Sequence, residues 1–355
     1  MNIWGEKFRI SIFGESHGEG IGVVIDGIPS GTALDMDEIS AQMKRRAPGK
    51  NKLSTPRSEA DEVKILSGFF EGKTTGTPLC GVIFNSNTRS KDYQPQLMRP
   101  GHADYTAIKR YGESRDWRGG GHFSGRITAP LVFAGAVARQ VLKNYGVTVG
   151  AHIYSIGAEN DTPFDMTNLD AEALKSVSAK EFPVINEVAG EKMKEIIDAH
   201  RMNLNSVGGM IECGICGMPE GVGAPFFGSV ESRISSMMFS VPAVKGIEFG
   251  LGFDFAKADG KSANDELYIE NGTVKTYTNN NAGINGGITN GMPIVFRVAV
   301  KPTPSIGQEQ RTIDIDKMEN TVISTHGRHD PCIVHRAAVV VENAAAIAIL
   351  DMILE

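Results

Sequence analysis

Glycine occupies 41 of the 355 positions. A chain punctuated this often must make many tight turns or bring its backbone close against a ligand, because glycine alone takes left-handed conformations without steric cost. Three glycine-rich corners also carry histidine or arginine: GESHG at 14–18, RPGHADYT at 99–106 and RGGGHFSGR at 118–126. A lone histidine in a turn is ordinarily a surface or hydrogen-bonded residue. It is also the side chain whose ordinary pKa lies near neutrality, which suits proton transfer. Glycines around a cation let backbone N–H groups approach an anion.

Between these corners the pattern alternates. Residues 9–13 and 21–26 read as strands on either side of the GESHGEG corner. Residues 35–46 read as a helix with Asp35 as its N-cap and Ala47-Pro48-Gly49 as its stop. Residues 130–145 form a strong helical pattern, with proline in the first turn and Gly146 just past the end. Residues 187–202 have apolar positions near helical spacing. The β-branched and apolar runs 207–216, 245–253 and 294–301 read as strands, and 229–240 and 335–354 as helices, the last apolar enough to be packed on all sides. The stretches 256–264 and 277–290 read as long loops, of the kind that often serve function. There is no internal repeat, linker or regular βαβ alternation, so a mixed α/β arrangement in one large domain, 1–355, is expected.

Charge narrows the function. The net charge of -6 argues against a general nucleic-acid binder. Yet 44–57 holds six basic residues and no acidic one, and 89–126 holds eight basic against four acidic. Such runs are usually a solvated face; two of them beside glycine-rich corners in an acidic chain instead suggest a pocket for a small polyanion. Their cations are expected to repel one another while that pocket is empty. No signal-peptide core and no stretch of about 18 apolar residues is present, so neither export nor a membrane span is expected. Cys80, Cys213, Cys216 and Cys332 are too few for a disulfide framework, and a cytoplasmic location follows as the default.

Several common signatures fail. Gly72-Lys73-Thr74 and Gly260-Lys261-Ser262 resemble phosphate-loop endings, but Ser67 and Phe255 stand where the first glycine is required. The glycines at 18, 20 and 22 precede a strand instead of following one, so they are no dinucleotide fingerprint. Cys213 and Cys216 have CxxC spacing, but in a strand they point to opposite faces, which makes them structural. No metal-ligand cluster is evident.

Eight segments in order, GESHG, RRAPG, RPGHADYT, RGGGHFSGR, PAVKG, NAGINGGITNG, KPTPSI and GRHDPC, resemble the chorismate synthase family, and they run from Gly14 to Cys332. The resemblance implies an α+β fold, a layered β-α-β sandwich assembling as a homotetramer. It implies an anti 1,4-elimination of phosphate from 5-enolpyruvylshikimate 3-phosphate, giving chorismate. It also implies a need for reduced FMN without net redox change, the flavin lending an electron that returns when the C6 hydrogen leaves.

Residue by residue, the resemblance makes His17, His102 and Asp330 the acid–base groups: His102 toward the departing phosphate, His17 toward the reduced flavin, Asp330 toward the ring proton. FMN contacts fall on His122, Phe123, Ser124, Pro242, Ala243, Gly286, Lys301, Pro302, Thr303, Pro304, Ser305 and Arg328. Arg46, Lys52, Arg99 and Arg126 are left for substrate, and arginine's planar fork suits phosphate and carboxylate. Where many relatives read RSSAR this chain reads HFSGR, keeping Ser124 and Arg126. Family positions linked to NADP fall on Arg46 and Lys52; substrate or flavin phosphate would use the same cations, so NADPH enters only as an indirect reductant. No reductase segment is recognisable, and an external flavin reductase is implied as a partner. The competing readings are another flavin-dependent enzyme acting on a phosphorylated carboxylate, and an RNA-binding or polyanion-binding module, which the scarcity of aromatics beside the basic runs disfavours.

Overall fold

Two apolar helices set the architecture. In Thr128–Leu142 every residue except Arg139 is buried, and Val334–Ile353 is buried over nearly its whole length. Helices without a polar face must be covered all round, and here each is packed against the other and against one sheet. The computed structural model describes residues 2–48, 61–85, 94–325 and 330–355. The helices cross closely at Gly135, where a Cβ would come within 2.4 Å of the Asn343 carbonyl oxygen.

The first sheet has the spatial order Ile3–Trp4, Arg9–Gly14, Gly20–Asp26, Leu79–Phe84, Lys64–Ser67, antiparallel throughout. Ile21, Val23 and Ile25 alternate along one face and are fully buried there, the period of two that a covered strand requires. The second sheet runs Val244–Phe249, Ile294–Val300, Gly209–Cys216, Thr148–Ile156, Glu159–Asn160, again antiparallel. One continuous apolar core joins the first sheet, the helical layer and the second sheet. The order is therefore sheet, helices, sheet: the expected β-α-β sandwich.

The second sheet is covered on its outer face too. Cys213 belongs to the central core, whereas Cys216 belongs to a separate cluster with Phe164, Leu169 and Leu174. The two thiols do point to opposite faces, and all four cysteines are unpaired.

Most expected elements appear with ends moved by a residue or two. Asp35 caps Met36–Arg46 by accepting from the N–H groups of Asp37 and Glu38, and Ser229 caps Val230–Met238 through Ser232. Three expectations need correction. The 256–264 stretch is not plain loop: it contains the end of a 3-10 turn (Gly252–Lys257) and a short helix (Gly260–Ala263) capped by Asp259. Residues 277–290 contain a tight hairpin, Ile284–Asn285 paired with Ile288–Thr289. The strand expected to run to 253 ends at Phe249, because Gly250 and Gly252 turn the backbone away with positive φ. Among the described residues, no helix is long and apolar enough to cross a membrane.

Candidate active site

A cleft of about 1050 Å³ opens at one end of the sandwich, walled by the first sheet, the N-terminal ends of the two central helices and the start of the segment after Val300. His17 enters it from the corner joining Arg9–Gly14 to Gly20–Asp26. Its Nδ1 lies 3.0 Å from Ser16 Oγ, and that hydroxyl is also 3.2 Å from the carbonyls of Arg118 and Gly119. With the hydroxyl hydrogen directed at a carbonyl, His17 Nδ1 donates to Ser16. Only glycine fits at 119: a Cβ there would sit 2.1 Å from His17 Cε1. The RGGGH turn, with φ positive at Gly119, Gly120 and Gly121, is thus shaped around the GESHG histidine. His122 completes this seam by donating Nδ1–H to the Gly14 carbonyl at 2.8 Å.

His102 stands across the same turn. Its Nδ1 is 2.8 Å from Asp104 Oδ1, so a proton on Nδ1 is fixed by a carboxylate. Asp104 also takes Arg99 through Nε and Nη2, both at 2.8 Å. Burial alone would raise the Asp104 pKa, but the bonds from His102 and Arg99 outweigh it and hold the carboxyl well below its ordinary value.

Deeper in the cleft, Arg46 and Arg126 share Asp61. Oδ2 accepts Arg46 Nε at 2.7 Å and Nη2 at 2.5 Å, while Oδ1 pairs with Arg126. Burial pushes the Asp61 pKa up, and the two guanidiniums more than reverse it. Beside them Arg336 binds Asp330 Oδ2 at 2.6 Å and the Arg46 carbonyl at 3.0 Å. At the mouth, Lys301 donates to the Gly101 carbonyl, and burial together with Lys245 lowers its pKa. Asp61, Asp104 and Asp330 each pair with a cation of this cleft, while Lys245 and Lys301 still repel each other; Lys50, Lys52, Arg57 and Arg328, which the expected repulsion also involved, lie outside the described residues.

Comparison with known proteins fits this arrangement. The sequence model of the chorismate synthase family matches residues 8–354. The chain belongs to the chorismate synthase family. It is 43% identical over 355 residues to a chorismate synthase of Methanosarcina barkeri, covering 99% of this chain and 96% of that one. It is 45% identical over 359 residues to one of Lachnospira eligens, covering 100% and 95%. A crystal structure of chorismate synthase superimposes with a TM-score of 0.78 at 30% identity, covering 99% of this chain and 93% of the other.

Of the residues that the chorismate synthase resemblance singled out, His17, His102 and Asp330 all line the cleft. So do Arg46, Arg99 and Arg126, and His122, Phe123 and Ser124 in the turn that leads into Arg126. Pro242, Ala243, Lys301, Thr303, Pro304 and Ser305 line it too, with Ser305 and Lys301 against Arg99 and Gly101. Pro302 is turned away, its Cδ packed toward Gly208. Gly286 lies outside the cleft in the 284–289 hairpin, whose Gly287 abuts Ser229 and Ala224. Lys52 and Arg328 lie outside the described residues. Sequence reasoning missed Ser16, Asp61, Asp104 and Arg336. Ser16 and Asp104 stood inside quoted motifs, beside the histidines they hold, and that adjacency was the available signal. Asp61 stood outside every motif.

Proposed function

We propose that this cleft eliminates phosphate from 5-enolpyruvylshikimate 3-phosphate to form chorismate, with reduced FMN as cofactor. The observation that carries the reading is that His17, His102 and Asp330, from three distant segments, share one cleft with the arginines a phosphorylated dicarboxylate needs. The residues fit a flavin as well. The space is at the upper end of small-molecule sites, Ile10, Ile12, Leu131 and Val244 give it an apolar wall, and Lys245 and Lys301 supply positive charge at the rim. When bound there, reduced FMN supplies electron density to the substrate as phosphate leaves and recovers it, so there is no net redox change.

The protein's own part is binding, orientation and proton movement. The guanidiniums of Arg46, Arg99 and Arg126 receive phosphate and carboxylate groups by charge-assisted hydrogen bonds. His102, with Nδ1 fixed on Asp104, presents Nε2 as the position that protonates the leaving phosphate. Asp330, oriented by Arg336, receives the C6 proton. His17, braced by Ser16 and seated against Gly119, faces the flavin side.

The whole of 1–355 acts as one unit in a cytoplasmic homotetramer, supplied with reduced flavin by a separate reductase. Four unpaired thiols agree with a reducing compartment. Phe226 and Phe227, 85% and 95% exposed, agree with a subunit contact. Arg46 is committed to Asp61 within the substrate wall, which favours substrate phosphate over NADPH as its ligand. The test is anaerobic incubation with the enolpyruvyl substrate and chemically reduced FMN, in which chorismate and phosphate should form in equal amounts. Oxidised FMN with NADPH and no reductase should give none; steady turnover there would show a second, reductase activity. Absence of chorismate in the first incubation would refute the reading.

A further inference from the structure

Three of the seven residues in the GESHGEG corner are glycine, so the chain's own preferences hold His17 loosely and the grip on it must come from outside. The Gly18 N–H closes the turn on the Glu15 carbonyl at 3.1 Å, with Ser16 and His17 as its two central residues. From one side the 118–122 segment meets it: the Ser16 N–H donates to the Gly121 carbonyl at 3.2 Å, and His122 to that of Gly14 at 2.8 Å. On another side stands Asn85, the residue after the strand Leu79–Phe84, whose own N–H donates to the Glu19 carbonyl at 3.0 Å. Its side-chain amide holds both ends of the turn, Nδ2 donating to the Glu15 carbonyl at 3.1 Å and to the Gly18 carbonyl at 2.9 Å. Its Oδ1 accepts from Arg126 Nε at 3.1 Å. These partners decide which way the amide lies: reversed, its oxygen would face two carbonyl oxygens and its NH2 a guanidinium N–H.

We propose that Asn85 is the positioning residue of the His17 turn: with its oxygen anchored on Arg126, its NH2 grips the turn at both ends and so sets where the imidazole stands relative to that arginine. Asn85 does not itself line the cleft; it acts through His17. Its effect on turnover rests on the reading of the cleft given above, whereas its grip on the turn can be measured on the protein alone.

Two variants separate the grip from the anchor. Asn85→Ala removes all three side-chain bonds, whereas Asn85→Asp, of the same shape, keeps the acceptor for Arg126 and sets an oxygen against the two carbonyls. In the protein without ligands, amide hydrogen exchange of the 15–19 segment should be about tenfold faster in both variants, because the turn opens more often. An unchanged exchange rate overturns the proposal. With the enolpyruvyl substrate and reduced FMN, Asn85→Ala should lower kcat about tenfold by misplacing His17, and Asn85→Asp at least as much. An Asn85→Asp with the kcat of wild type would show that the Arg126 contact alone matters, and overturns the proposal too. The deciding measurement is a double-mutant cycle with His17→Ala: on that background Asn85→Ala should change kcat by less than about twofold, since the residue through which it acts is gone. An equal loss on both backgrounds is what a merely structural role gives, and it sinks the idea. A wild type that makes no chorismate would count against the cleft reading itself and leave the exchange rates to decide the grip. An active wild type with additive losses counts against this inference alone. Should Asn85→Ala not fold, exchange and cycle are both read on Asn85→Asp, with the same outcomes expected.

Discussion

Arg45 and Arg46 are neighbours on one helix and end in two versions of the same device. Arg46 shares Asp61 with Arg126 on the wall of the cleft. Arg45 turns into the helical layer and shares Glu342 with Arg139, both its Nη atoms 2.9 Å from the carboxylate, and Ser178 Oγ adds a bond at 3.0 Å. Both are one buried acid between two arginines, and in both the arginines draw the acid's pKa down against burial. The Glu342 triad lies between the helices and the second sheet, where its partners come from the protein. The Asp61 triad opens on a space large enough for substrate and cofactor. The same electrostatics thus serves cohesion in one place and recognition in the other, and only the surroundings decide which.

The sharpest way to separate the two regions is to remove the acid–base groups of the cleft. His17→Ala, His102→Ala and Asp330→Asn should each lower turnover by about 10²–10⁴-fold, with thermal melting close to wild type. Rates within twofold of wild type for all three would end the catalytic assignment. Glu342→Gln should do the reverse. Leaving Arg45 and Arg139 without their shared charge should cost on the order of 3 kcal/mol of stability, read from denaturant unfolding, while the folded fraction keeps its kcat. A stable but inactive Glu342→Gln would mean the helical layer is part of the catalytic apparatus.

A third buried cluster sharpens the point through pH. His152 is fully buried between Asp161 (3.0 Å) and Glu212 (2.9 Å), far from the cleft in the second sheet. Burial disfavours its charged form, but the two carboxylates outweigh that and raise its pKa. A raised imidazole pKa contributes stability that is complete below the unfolded value of about 6.5 and is lost as pH rises through the folded value. The denaturant midpoint should therefore fall above neutrality, and more steeply in wild type than in His152→Gln. Identical slopes for the two proteins would show that His152 is held neutral.

The smallest effect is expected at Ala243, which lines the cleft with φ of +74° and accepts the Lys301 N–H at 2.9 Å. Ala243→Gly should raise stability by about 0.5–1 kcal/mol by relieving that backbone, seen as a higher melting temperature. A lower one would show that the methyl's packing outweighs the strain.

What could be read from the sequence was what is local. Asp35 and the glycine after Tyr145 mark helix ends through capping, which depends on a few adjacent residues: the first falls where expected, and before Gly146 the last turn tightens to the 3-10 turn Lys143–Tyr145. The apolar run 335–354 declared its burial but not its position; that it lies between two sheets came from family resemblance, because periodicity carries no information about layers. The strand Thr148–Ile156 escaped notice because its glycine and polar residues blur the alternation, and Leu79–Phe84 because it is a short apolar run with no polar residue to set an alternation. The site was legible as cations and histidines in glycine turns. Of its acids, Asp330 came with the family resemblance and Asp61 was not legible, since Asp61 meets Arg126 across 65 positions and a charge count along the chain cannot pair them.

The position of Val334–Ile353 in both space and sequence has a consequence for how the chain is made. This helix lies against the Thr128–Leu142 helix on one side and the second sheet on the other, yet it follows every strand of both sheets in chain order. As synthesis proceeds, the first sheet can already fold onto Thr128–Leu142, whereas the second sheet is complete with its inner face still wet. Ile211, Ile215 and Val298 would then wait, exposed and apolar, for the last helix to emerge. A growing chain of this design passes through a sticky half-built stage, the kind that folding helpers and slow translation protect.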